Sequence, residues 1–158
     1  MSDLRNYPEG HGAVKSIYVQ GQLITSGVAQ TARTRVTLAQ LNAGFTLLPA
    51  IPGVSWQIYY AILIAIGGAA AIGTSVNLIG TVAGAAVQLM IVTIAALTRS
   101  TPIQMGVTPA AGAVTLLADG ASFTPMDANT AVTIITVGSA MTTLTNLDVQ
   151  LDYVANGI

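Results

Sequence analysis

Large apolar side chains recur at every second position over much of the chain. Over 54–66 the series Val54, Trp56, Ile58, Tyr60, Ile62, Ile64 and Ile66 is bulky throughout, and the intervening Ser55, Gln57, Tyr59, Ala61, Leu63 and Ala65 are mostly small or polar. Side chains of an extended strand alternate between faces, so this period predicts one long strand whose bulky side, Tyr60 and the isoleucines included, forms a continuous wall. Near the C-terminus Leu147, Val149, Leu151 and Tyr153 alternate without a fault against Asp148, Gln150 and Asp152. That pattern predicts a half-buried strand with two carboxylates on its exposed face. A third alternation sets Ala32, Thr34, Val36 and Leu38 against Arg33, Arg35 and Thr37.

Further strands are expected over 45–48, 74–79, 85–98, 103–107, 114–117, 121–123 and 132–137. The stretch 85–98 is apolar on both faces and is expected to be central. Between the strands lie turn residues: Pro49, Pro52 and Gly53, the glycines of 67–73, the pair Gly80 and Gly84, then 109–112, Asp119-Gly120 and 127–129. Asp-Gly accepts the positive φ of a tight hairpin. A short helical turn is expected over 38–44, closed by Gly44. Nineteen threonines favour the pleated surface over helix. The sum is an all-β chain: a jelly-roll-like β-sandwich of about eight or nine strands over 31–158, preceded by an extended N-terminal arm over 1–30. The arm holds Gly10, Gly12, Gly21 and Gly27 and only short apolar pieces, so it is expected to gain order by lying on the body or on a neighbour.

Composition adds a constraint on the exterior. Charged residues are 7% of the 158 and apolar residues 53%, against about 25% charged in an ordinary soluble protein. From Arg35 to Arg99 there are 63 consecutive residues without Asp, Glu, Lys or Arg. Such a surface has to be covered by protein or by lipid. Hydropathy marks 58–76 and 82–97 as candidate membrane spans, but alternation has no purpose in a lipid-facing helix, Gly67-Gly68 interrupts the first, and apart from Arg99 just after the second no Lys or Arg lies close to either. Buried strands covered by other subunits are the favoured reading, with a homodimer or homotrimer as its consequence, the trimer slightly preferred, and no membrane partner.

Candidate chemistry is sparse. A net charge of −1 with five scattered basic residues argues against nucleic acid as a partner. Without cysteine there is no disulfide or thiolate, and the segment 1–12 lacks the apolar stretch of a signal peptide, which points to synthesis in the cytoplasm. The acid-base supply is His11 in the arm, one Glu and five Asp. Asp148 and Asp152 share a strand face but stand near 13 Å apart at about 3.3 Å per residue, too far for a dyad. Asp119 and Asp127 are read as turn residues, with a divalent cation between loops as the minor alternative. No enzymatic activity, cofactor or metal is expected. Trp56, Tyr59 and Tyr60 would make a sugar-stacking platform, but Trp56 and Tyr60 on the bulky side are assigned to the core and Tyr59 to the opposite, freer face. The residues expected at an interface are Arg5, Tyr7, Lys15 and Tyr18 in the arm, with Arg33, Arg35 and Tyr59 on the body.

At VTLAQLNAGFTLLPAIPG (36–53), IAIGGAAAIGTSVNLIGT (64–81), IAALTRSTPI (94–103) and TLTNLDVQLDYV (143–154) the chain resembles small β-rich virion proteins of tailed bacteriophages. The resemblance is in motif order and spacing and covers residues 35 to 154. It implies a jelly-roll-like sandwich bound to the outside of the major capsid protein shell as a decoration or cement protein, in symmetric dimers or trimers. Related sandwiches serve in tail fibres and baseplates as receptor-binding modules, which is the alternative; a holin-like membrane protein is the second.

Overall fold

The computed structural model describes residues 16–19, 22–105, 114–115 and 125–157. In chain order the elements are β1 (Ser16–Val19), β2 (Gln22–Thr25), β3 (Ala29–Thr37), α1 (Leu38–Ala43), β4 (Phe45–Leu48), β5 (Ser55–Ile66), β6 (Ser75–Val82), β7 (Ala85–Thr93), a 3-10 turn at Ile94–Ala96, β8 (Pro102–Gln104), β9 (Val114–Thr115), β10 (Val132–Val137) and β11 (Asn146–Asn156). β1 and β2 form a hairpin of their own. The rest make two antiparallel sheets, ordered β3-β11-β5-β8 and β4-β10-β6-β7-β9. The chain is all-β, and the sheets enclose one core as a β-sandwich.

Most connections change sheet; the β6–β7 hairpin stays in one. It reverses at Ala83 and Gly84, whose φ values of 52° and 74° match the twist of the flanking strands. Gly80, expected in that reversal, lies instead within β6, where an added Cβ would collide with the sulfur of Met126. At the centre Trp56 meets Tyr153 edge to face, with ring centroids 5.6 Å apart, and both are fully buried. Each keeps a polar partner: the Trp56 indole N–H donates to the Pro49 carbonyl at 3.0 Å, and the Tyr153 hydroxyl donates to Gln30 Oε1 at 3.2 Å. Burial without such partners would cost more than the ring contact returns.

The helical turn expected over 38–44 is α1. Thr37 and Gln40 form a reciprocal capping box that starts it, and Gly44 with φ 87° ends it. Leu41 enters the core, and the Asn42 side chain bonds both the N–H and the carbonyl of Met141, which ties α1 to the β10–β11 connection.

The single long wall expected of β5 is not what forms. Pairing with β11 runs from Asp152↔Tyr60 directly to Tyr153↔Ile58, leaving Tyr59 as the extra residue of a β-bulge. One extra residue exchanges the two faces. Before the bulge Trp56 and Ile58 point inward; beyond it Ala61, Leu63 and Ala65 do, and Tyr60, Ile62, Ile64 and Ile66 are turned to the outer face. Assigning Tyr60 to the core with Trp56 is therefore corrected. The stretch 85–98 is corrected too: β7 ends at Thr93, stands next to the two-residue β9 rather than at the sheet centre, and is exposed at Ala85 and Ala86.

Strands expected at 103–107 and 114–117 appear as the short β8 and β9, while 121–123 and the turns 109–112 and 119–120 lie outside the described residues. So do residues 1–15 of the expected arm. Of the remainder, Ile24 in the β1–β2 hairpin is only 2% exposed, Gly27 N–H donates to the Ala155 carbonyl, and β3 already begins at Ala29. The segment from β2 onward is thus part of the body.

If Tyr59 is a bulge residue, deleting it leaves Ile58 inward, Tyr60 outward and Ala61 inward in regular alternation. We expect the deletion to fold with a melting temperature within about 4 °C of the parent, the shift of roughly 1 kcal/mol in a domain this size. Deleting Gln150 from β11 forces Asp148 or Asp152 inward, and no cooperative melt is expected. Equal damage from the two deletions in a thermal melt would remove the bulge assignment.

Candidate functional site

The outer face of the β3-β11-β5-β8 sheet gathers four of the chain's charges in adjacent rows. Register places Arg35, Asp148 and Ile64 side by side, then Arg33, Gln150 and Ile62, then Thr31, Asp152 and Tyr60. The period of two supplies this grouping, because every outward position on one strand neighbours an outward position on the next. On one side of β11 the rows are polar. On the other the half-buried Tyr60, Ile62, Ile64 and Ile66 form an apolar strip, continued by Pro102 opposite Ile64. Between them lies a shallow depression of about 520 Å³ lined by Arg33, Arg35, Ile62, Ile64, Asp148 and Gln150 among others.

Within the rows the polar groups are matched unevenly. Arg35 grips Asp148 in a two-pronged ion pair, Nε to Oδ1 at 2.6 Å and Nη2 to Oδ2 at 2.8 Å. The hydrogen bonds from Arg35 hold the Asp148 carboxyl below its ordinary range; burial opposes them, the guanidinium's charge adds a smaller lowering, and the same pairing raises Arg35 in turn. Arg33 Nε donates only to the neutral Gln150 Oε1, at 3.0 Å. Asp152 Oδ1 accepts from the Thr31 hydroxyl at 2.7 Å and, at 3.4 Å, from Gln150 Nε2. Among the described residues Arg33 therefore has no carboxylate partner and Asp152 no cationic one.

Of the residues expected at an interface, Arg33 and Arg35 are brought together here, and Tyr59 lies at the rim on the bulge with 39% of its surface exposed. Tyr18 is elsewhere: it is paired with Leu23 on one side of the β1–β2 hairpin, and both are well exposed. Arg5, Tyr7, Lys15 and His11 fall outside the described residues, as does Asp119. Asp127 accepts from the N–H groups of Ala83 and Gly84, a turn role that occupies both carboxylate oxygens. No group of three or more His, Cys, Asp or Glu side chains suited to a metal occurs among the described residues. Sequence reasoning missed Ile62 and Ile64 as outer-face residues, and the adjacent tyrosines at 59 and 60, two bulky residues breaking a period of two, were the signal for it.

Comparison with known proteins finds no matching family model, no similar curated protein and no similar solved structure. The stretches that hydropathy marked as spans are strands and loops, and no helix among the described residues is long and apolar enough to cross a membrane.

A lowered carboxyl pKa stabilises the fold at pH values above the unfolded group's pKa, near 4, and that contribution is lost as pH falls through the depressed folded value. Asp148→Asn removes it. The variant is expected to melt slightly below the parent at pH 7, with the difference closing as pH falls below the ordinary carboxylate range, as followed by circular dichroism. A gap that widens on acidification would contradict the assignment.

Proposed function

We propose that the chain is a non-enzymatic structural protein of a tailed-phage virion, a decoration protein that binds the outside of the major capsid protein shell as a homo-oligomer. The observation that carries this reading is the uncharged stretch 36–98, which forms α1, four strands of the sandwich and their connections with no acid or base to offer a substrate. A surface so poor in charge is suited to permanent contact with protein.

Strand order gives further support. Counting from β3 and leaving aside the two-residue edge strand β9, the eight strands fall in the orders 1-8-3-6 and 2-7-4-5, first beside last in one sheet and second beside seventh in the other. We read this as a jelly roll, an architecture used by capsid proteins and also by lectins. The fold alone does not decide between those uses. What favours the shell in this reading is the resemblance of motif order and spacing over 35–154 to phage virion proteins. On the shell, many symmetric copies each adding a modest contact would together resist internal pressure.

The arm's part is tested by truncation. Because Ile24 belongs to the core, the cut has to fall no later than residue 15. A chain starting at Ser16 is expected to melt like the parent yet to co-sediment at least ten-fold less with shells that lack the protein. Full co-sedimentation would remove the arm from the mechanism. Absence of the chain from purified virions by mass spectrometry would overturn the virion reading itself, and retention on a glycan array would favour a receptor-binding module.

A further inference from the structure

We propose that the outer face of the β3-β11-β5-β8 sheet is a two-fold self-association face, in which Arg33 of each copy pairs with Asp152 of the other. The inference deepens the homo-oligomer part of the proposed function and rests on it, but it does not depend on the shell.

A two-fold interface joins a patch to itself, so the patch must be complementary to its own image. This face meets that condition in charge and in shape. The four charges it carries among the described residues sum to zero, and two of them, Arg35 and Asp148, already neutralise each other within one copy. The two left over are of opposite sign and occupy consecutive rows: Arg33 lies beside Gln150, and Asp152 lies one row further along β11. A two-fold axis lying between these rows, parallel to the sheets and crossing the strands, exchanges one row with the other. It sets each Arg33 opposite the partner's Thr31–Asp152 row, one strand spacing from the carboxylate and within reach of a guanidinium. The same rotation lays each Ile62 over the partner's Tyr60, because these residues occupy the same two rows on β5. The apolar strip is covered by the same operation that completes the ion pairs.

The alternatives are less well matched. A strongly acidic or basic partner would meet a face of zero net charge. A purely apolar partner would bury Arg33 and Asp152 without ionic partners, which is costly. In area, about eight residues along each of three long strands and the three of β8, at about 3.3 Å per residue and about 4.8 Å between strands, cover roughly 430 Å² per copy. The pair then buries about 900 Å², at the small end of specific interfaces and suited to a reversible dimer.

Sedimentation equilibrium of the full chain alone, at low and high salt, tests this with three variants: Arg33→Asp, Asp152→Arg, and both together. The parent is expected to dimerise reversibly, more weakly in high salt, and each single reversal to weaken association more than ten-fold by setting like charges opposite each other. The double reversal restores opposite signs across the axis and is expected to recover association to within about three-fold of the parent. That rescue separates the interface from any folding defect, since all four proteins are also compared by thermal melt. A monomeric parent, an odd-numbered assembly, insensitivity to both single reversals, or a double variant no better than the singles would each overturn the proposal. Shell co-sedimentation measured alongside keeps it distinct: shell binding by a monomeric parent sinks the dimer and leaves the decoration role standing.

Discussion

The register of β11 is the constraint on which the rest of the molecule depends. It is the last strand, yet it sits inside its sheet, paired along nearly its whole length with β3 on one side and β5 on the other. Its inward positions are Leu147, Val149, Leu151, Tyr153 and Ala155, all buried, and its outward ones are polar apart from Val154. A slip of one residue would push Asp148 and Asp152 into the core and expose the leucines, so only one register is tolerable. Both neighbours take their alignment from it. Closure of the sheet therefore joins β11 to strands far back in the chain, and the contacts that define the fold are long-range, the kind of topology that folds slowly.

The bulge at Tyr59 follows from the same constraint. β11 alternates perfectly, so the irregularity between the two strands has to be absorbed by β5. It is absorbed at the only place in β5 where two aromatic side chains are adjacent. Both can lie on the outer side, which keeps Trp56 against Tyr153 in the core and carries the rest of β5 over to the opposite phase. The consequence reaches the surface: three isoleucines that would otherwise have filled the core become an apolar strip beside Arg33 and Asp152. A single extra residue thus converts a strand with one wet face into one able to contact protein on both sides.

Much of this was legible in the sequence, and the exceptions are instructive. β4, β10, β11 and α1 match their expected extents closely because period, caps and turn residues agree: Thr37 and Gln40 carry a capping signature, Gly44 ends the helix, and Asn129, which adopts φ 65°, marks the turn before β10. The failures have one cause. Alternation read from sequence fixes which residues share a face only as long as no residue is inserted, and it carries no label for which face is inside. Beyond Tyr59 the isoleucines and the alanines were both apolar, so hydrophobicity could not choose between them. Gly80 misled for a related reason, since a glycine demanded by the close approach of Met126 looks the same as one demanded by a turn.

The placement of charge closes the argument from composition. Six charged side chains occur among the described residues: Arg33, Arg35, Arg99, Asp127, Asp148 and Asp152. Asp127 is consumed by a turn, Arg99 lies exposed in the connection before β8, and the other four share one sheet face. If charge served only solubility it would be dispersed over the surface, where each group repels association. Gathered on one face, with one pair satisfied internally and one opposite pair left over, it does little for solubility and much for orientation. Ion pairs at a partly wet interface contribute modestly to affinity but penalise misalignment, because a shifted partner brings like charges together or strands a charge away from water. In the proposed dimer the apolar strip alone would offer few means of selecting one relative orientation, and the chain's scarce charges stand where orientation is decided.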